Sequence, residues 1–360
     1  MRRMIRSASL TGYEDVARAA GLEPSAMLRK FRIAPRCLWD PEVRVPVDSI
    51  RRLLEESASR SGVENLGLQM AETRKLSDMG PLGLLIREQE TLRQALEACA
   101  QYANRLNEAL FLHIEEAGSL VIVREELLFE GLGAARQSTE LAIGVIFRVL
   151  RHFLGDLWRP RRVCFAHSQP RDRAVHNRLF GVRVEFGRDF NGIVCSRTDL
   201  AGSNVQADKG IARMAKRLLD SDSQGQLTNV SAHVRQAIVR TLNSGNCSIE
   251  TVAQQMGVDR RTVHRRLLKE GESFSRLFNS VKIELATRYL EDPRRQLAGI
   301  AELLGFSTLS GFSRWHRAQF GTSASARRAR LVMSQKGNKQ SRKANSSPRL
   351  APKMPALNRP

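Results

Sequence analysis

Val252-Ala253-Gln254-Gln255-Met256-Gly257-Val258 and Ile300-Ala301-Glu302-Leu303-Leu304-Gly305-Phe306 are two copies of one pattern, set 48 residues apart. Each places an alanine four residues before a glycine, and each leads through a short polar turn into a basic stretch with helical spacing. The physics is that of a helix-turn-helix: alanine lets two helices cross closely, and glycine takes the left-handed conformation that the turn needs. Two registered copies make a chance pair of helical hairpins a poor explanation.

The second helix of each copy also matches. In the first, Asp259 is an N-cap candidate and Val263 and Leu267 face inward, which leaves Arg260, Arg261, His264, Arg265 and Arg266 outside. In the second, Phe312 is the inward anchor, and Ser310, Ser313, Arg314 and Arg317 are outside. Allowing one extra residue in the second turn, Val263-His264-Arg265 aligns with Phe312-Ser313-Arg314, each triplet ending in an arginine suited to a base edge or a phosphate. Arg260, Arg261, His264, Arg265, Ser310, Ser313 and Arg314 are therefore the candidate DNA-contacting residues. His316 is expected to pack, and Gly311 to weaken its helix modestly. Between the copies, Ser273 to Glu291 reads as one uninterrupted helix with Phe274, Leu277, Phe278, Val281, Leu285 and Tyr289 along one face. Nineteen residues span about 28 Å, close to the roughly 34 Å rise of one DNA turn. Such a spacer would seat both recognition helices in successive major grooves.

Charge supports this placement. The 360 residues carry a formal +21, which favours a polyanionic partner over a small neutral substrate. Residues 1–232 hold only +5 of it, 233–330 hold +9, and 331–360 have seven basic residues, four prolines and no acid. That last stretch cannot support a core and is expected to be a basic, disordered tail, either an uncommitted end or a segment that meets phosphate non-specifically.

The N-terminal two-thirds reads as α+β. Helices are expected at Tyr13 to Ala20, Pro24 to Phe31, Val47 to Ser59, Thr91 to Ala109, Leu141 to Leu154 and Arg173 to Phe180, with a turn at Asp78 to Gly83. Strands are expected at Leu110 to Glu115 and Leu120 to Phe129, as a hairpin, and at Val163 to Ala166, Val182 to Phe186 and Gly192 to Cys195, giving a partly antiparallel sheet. From about Ala201 the chain thins to small and polar residues around one short helix at Ile211 to Leu219. The expected organisation is an effector-sensing and dimerising domain over 1–205, a linker over 206–232, an all-α double helix-turn-helix domain over 233–330, and the tail over 331–360.

Several classes are excluded by what the sequence lacks. Five cysteines stand singly with no C-x-x-C, which suggests neither a disulfide framework nor a zinc site and fits a reducing, cytoplasmic location. No H-E-x-x-H, P-loop, G-x-S-x-G or G-x-G-x-x-G after a strand occurs, so no enzyme, metal or cofactor is expected. The apolar runs Met79 to Ile86 and Leu141 to Phe147 are far short of a membrane span. Met1 to Leu10 has no apolar core of a signal peptide. His167 reads as a structural hydrogen-bonder, and Arg159, Arg161 and Arg162 as a solvated charge run rather than a site for an acidic effector.

Ser248 to Arg328 resembles the double helix-turn-helix domain of AraC-type transcriptional regulators, whose second unit typically reads Ile300-Ala301-x-x-x-Gly305-Phe306-Ser307, Phe312-Ser313-Arg314, then Phe320-Gly321-x-Ser323, with Ala324 and Arg327 here in place of the usual Pro and aromatic residue. Upstream, Gly21-Leu22, Val45-Pro46, Leu76 to Gly83, Phe165-x-His167-x-x-Pro170 and Phe186-x-x-x-Phe190-Asn191 resemble the sensor domain labelled "arabinose-binding" in one subgroup, a label that identifies no sugar. The resemblance implies a sequence-specific regulator of transcription that binds double-stranded DNA, responds to an unknown small-molecule effector, contacts RNA polymerase and forms a homodimer. An architectural DNA binder without effector, or an enzyme fused to a DNA-binding module, is the alternative.

Overall fold

The computed structural model describes residues 3–129, 133–225, 230–242, 247–291 and 295–331. The expected tail beyond Leu331 therefore lies outside the described residues. The chain divides into two units, Met1–His233 and Val234–Pro360.

The first unit opens with β1 (Met4–Arg6), α1 (Tyr13–Ala19), α2 (Pro24–Lys30), β2 (Arg44–Pro46) and α3 (Val47–Ser61). It continues through α4 (Leu66–Thr73), α5 (Pro81–Arg87), α6 (Leu92–Leu106), β3 (Leu110–Ala117), β4 (Leu120–Leu127) and α7 (Arg136–Leu154). It closes with β5 (Arg162–Phe165), α8 (Ala174–Phe180), β6 (Val184–Phe186), β7 (Asn191–Ser196) and α9 (Lys209–Gly225). Local chemistry explains the boundaries. Thr91 and Gln94 form a reciprocal capping box at the start of α6, so two otherwise orphaned N–H groups find partners.

β1 and β2 make a small antiparallel pair, while the main sheet runs β3-β4-β7-β5-β6. Among the described residues the parallel neighbours in that sheet are β5 and β6, joined through α8; the other pairs are antiparallel. The expected α+β pattern and partly antiparallel sheet are thus present. The turn expected at Asp78 to Gly83 is half helix instead, because Pro81 begins α5, a position where its missing N–H costs nothing. The segment expected to be a linker is corrected in the same way: α9 runs for 17 residues and sends Ala215 and Leu219 into the core of the first unit.

Two apolar clusters fill this unit. One packs α5, α6, α7, α8 and the sheet around Phe147, Phe165, Phe180 and Ile193. The other packs α1 to α4 around Tyr13, Leu28, Leu53, Leu54 and Met70. α4 and α7 cross tightly. A Cβ on Gly67 would lie 2.0 Å from the Gln137 carbonyl oxygen, and one on Gly144 would lie 2.4 Å from Ala71 Cβ.

The boundary between units falls within α10 (Val230–Leu242). The second unit then holds α11 (Ile249–Gln255), α12 (Arg260–Lys269), α13 (Phe274–Glu291), α14 (Leu297–Leu303), α15 (Leu309–Phe320) and a helix over 324–331. All described structure in this unit is helical or turn.

Candidate nucleic-acid interface

The first helix-turn-helix is built as its residues require. Ser248 Oγ accepts the Thr251 N–H at 3.1 Å to start α11, and Gly257 turns the chain at φ 63°. Asp259 Oδ1 then accepts the Thr262 N–H at 2.7 Å and its Oδ2 the Thr262 hydroxyl at 2.9 Å, which starts α12. These two hydrogen bonds hold the Asp259 carboxyl below its usual range. Val263 and Leu267 are buried beneath α12. Arg260, Arg261, His264 and Arg265 are exposed on it, whereas Arg266, expected outside, is half-buried.

The second copy repeats the plan with different chemistry. Gly305 turns at φ 69°, and Thr308 Oγ1 accepts the Gly311 N–H at 3.1 Å to start α15. Gly311 therefore sits in the first turn, where its helix-weakening effect is smaller than at mid-helix. Phe312 is fully buried, and Ser310, Ser313, Arg314 and Arg317 are exposed. The helix is fixed to α13 by two bonds at Asn279, whose Oδ1 accepts from Trp315 Nε1 at 2.9 Å and whose Nδ2 donates to Gln319 Oε1 at 2.9 Å.

His316 is completely buried among Phe312, Trp315 and Phe320. Its Nδ1 lies 2.9 Å from the Thr322 carbonyl oxygen, which can only accept, so Nδ1 carries the proton. Burial pushes its pKa down, and nearby Arg327 adds to this against the Thr322 bond. Arg327 stacks its guanidinium over Phe320 at 3.9 Å, so a flat cation covers the ring. Ala324 is buried at the start of the following helix.

Electrostatics separates the candidates. Arg260 is held 2.8 Å from Glu250, both exposed, a weak pair that phosphate can displace. Arg261, Arg265 and Arg314 make no ion pair among the described residues. Sequence reasoning missed two supports for this surface. Arg235 on α10 reaches Ser280 and Glu284 on α13 at 2.6 and 2.7 Å, and Lys282 is buried with Nζ 4.0 Å from the Phe306 ring centre. A lone basic residue in a basic region gives no signal of such packing.

The first unit holds an apolar cavity of about 150 Å³, lined from β1, α3, α6, β3, β4 and α7. Arg159, Arg161 and Arg162 do not line it. They are exposed, with Arg159 donating to the Asp156 and Trp158 carbonyls. His167 bonds the Ser168 carbonyl at 3.0 Å and packs on Phe165, a structural role. Among the described residues, no helix is long and apolar enough to cross a membrane.

Comparison with known proteins meets this geometry at both ends of the chain. Residues 21–203 match the family described as the arabinose-binding domain of AraC transcription regulators, and residues 252–330 match a helix-turn-helix domain family. The HTH-type transcriptional regulator VirS of Mycobacterium tuberculosis is 32% identical over 321 residues, covering 88% of this chain and 94% of VirS. The ornithine utilization regulator of Pseudomonas aeruginosa is 23% identical, covering 85% and 91%. The crystal structure of the transcriptional regulator CdpR from Pseudomonas aeruginosa aligns with a TM-score of 0.42 at 23% identity, covering 85% of this chain and 96% of CdpR. With both its sensor and its helix-turn-helix regions matched and a full-length relative of this similarity, the chain belongs to the AraC family of transcription regulators.

Proposed function

We propose that α12 and α15 are the recognition helices, entering successive major grooves, and that a small molecule held by the N-terminal unit changes promoter occupancy. The observation that carries the DNA reading is the exposed row Arg260, Arg261, His264 and Arg265 on a helix whose opposite residues, Val263 and Leu267, are fully buried. A helix anchored this way presents its cations as a rigid set. In the second helix-turn-helix Arg314 is the principal reader, flanked by Ser310 and Ser313. The spacer α13 has 18 residues, about 27 Å, which supports the spacing of about one DNA turn.

The cavity in the first unit supports an effector-responsive regulator over an architectural DNA binder. Ile211, Met214 and Leu218 form an exposed apolar stripe on α9, which supports a homodimer through this face. Contact with RNA polymerase and a cytoplasmic location belong to the same reading. No reaction is assigned to the chain. The test is selection of operator DNA from a random library with the full-length protein, followed by binding of Arg265→Ala and Arg314→Ala. Each should weaken operator binding by about 1 to 3 kcal/mol with little loss on random DNA. Equal losses on both would reassign the arginine to phosphate contact.

A further inference from the structure

The cavity of the first unit has an apolar body and one cationic corner. Ile50, Leu54, Leu106, Leu141, Val145 and Val149 supply much of the wall. Arg6, Ser9, Arg74 and Asp78 also line it. These four belong together. Arg74 donates to the carbonyls of Ala8 and Ser9, just after Arg6 in the chain, and the Arg6 guanidinium lies against Gly80, just after Asp78.

Both arginines are only 7% exposed. A buried guanidinium ordinarily spends all its donors, yet Arg6 Nε, Arg74 Nε and Ser9 Oγ have no hydrogen-bond partner among the described residues. Their charges are also unequally met. Arg6 pairs with the mostly exposed Glu42, whereas the bonded partners of Arg74 are neutral carbonyls. Burial pushes the Arg74 pKa down to about 10, with Asp78 acting against it. A cation held at such a cost in a binding cavity is suited to an anion that restores the lost solvation.

Alternative ligand classes fit less well. A sugar would bring many hydroxyls against an apolar wall and leave them unpaired. An amine would meet two arginines against the single carboxylate of Asp78. A neutral hydrocarbon would fill the space and leave the buried donors as they are. A carboxylate on an apolar body satisfies both ends, because a guanidinium matches its planar acceptor pair. Size narrows this further, since a cavity of about 150 Å³ holds a molecule near the size of benzene.

We propose that this cavity binds a small monocarboxylate with an apolar body, of benzoate or hexanoate size, whose carboxylate is received by Arg74 and Arg6. The inference rests on the reading of the first unit as the effector-binding one, and it names the chemistry of that effector.

The test is calorimetric titration of the full-length protein with benzoate and hexanoate, and with benzyl alcohol, hexanol, benzylamine and hexylamine as matched bodies. The carboxylates should bind at least tenfold more tightly than the alcohols and amines. Arg74→Lys, which keeps the charge and removes the planar fork, should cut carboxylate affinity about tenfold. Ala142→Phe, which fills the cavity from α7, should abolish it while circular dichroism stays unchanged. If Arg74→Lys does not fold, the ligand series and Ala142→Phe still decide. Equal affinity for carboxylates and alcohols, no carboxylate binding, or binding that survives Ala142→Phe overturns the proposal, as does equal binding of acetate and chloride. Operator binding is measured in the same samples. Carboxylate binding without any change in operator affinity supports the ligand assignment and defeats the effector-responsive reading. A response to a ligand of another class, without carboxylate binding, does the reverse.

Discussion

Glu140 is fully buried on α7, with its Oε1 2.9 Å from Arg136 Nε and 3.0 Å from His176 Nε2. Burial alone pushes this carboxyl up, but the His176 bond and the Arg136 charge outweigh it and hold the group below its usual range. His167 Nε2 lies 3.3 Å from the same oxygen, so removing Glu140 leaves one guanidinium and two imidazoles without their shared acceptor. Glu140→Ala should therefore destabilise the chain by about 3 to 5 kcal/mol in denaturant unfolding, and a loss below about 1 kcal/mol would mean the cluster behaves as a surface pair. His316 makes a prediction of opposite kind. Its folded pKa is lowered by burial, so the unfolded chain takes up the proton first as pH falls below about 6.5. Stability of α15 is full above that pH and declines as pH drops towards the folded pKa. Amide exchange within α15 should show the decline between about pH 7 and 5, and His316→Gln should flatten it. An unchanged slope in the variant would place the titration elsewhere.

Elements differ in how much of themselves they display in sequence. α12 was legible because a capping residue, a left-handed glycine and a 3.6-residue pattern agree, and α15 because its glycine turn and Phe312 anchor repeat that plan, whereas the Thr308 cap emerged only in the fold. α4 was not, since Leu66, Leu68, Met70 and Ala71 are all buried and leave no alternation of faces to detect. β1 and β2 have three residues each, too few to carry a period. α9 exceeds the expected helix at both ends because polar residues continue it after its apolar stripe stops. The cationic corner was invisible for a related reason: Arg6 and Arg74 approach only through tertiary folding, and neither sits in a motif. The glycines of the two turns give the prediction at this scale. Gly257→Ala meets open space and only the left-handed conformation, a cost of about 1 to 2 kcal/mol. Gly305→Ala adds a Cβ 3.1 Å from the Leu242 carbonyl oxygen and should cost more. Thermal melts of both variants check this, and equal losses would show that Leu242 yields freely.

At the scale of the whole molecule, the two units should separate in function. Residues 228–332, expressed alone, should protect one face of roughly 20 base pairs and ignore effector, while the intact chain responds. Footprinting of both, with and without ligand, decides; a folded fragment that never binds the operator would refute the two-groove arrangement. Deleting Met333 to Pro360 should weaken non-specific binding and flatten its salt dependence. The cavity of the first unit carries a further consequence. A ligand seated there at a hundred times its Kd adds about 2.7 kcal/mol to the stability of the unit that holds it. That surplus sets the scale of the mechanical work that a signal can perform, and a substitution that packs the space with the protein's own side chain should make that work constant and the protein deaf to its effector.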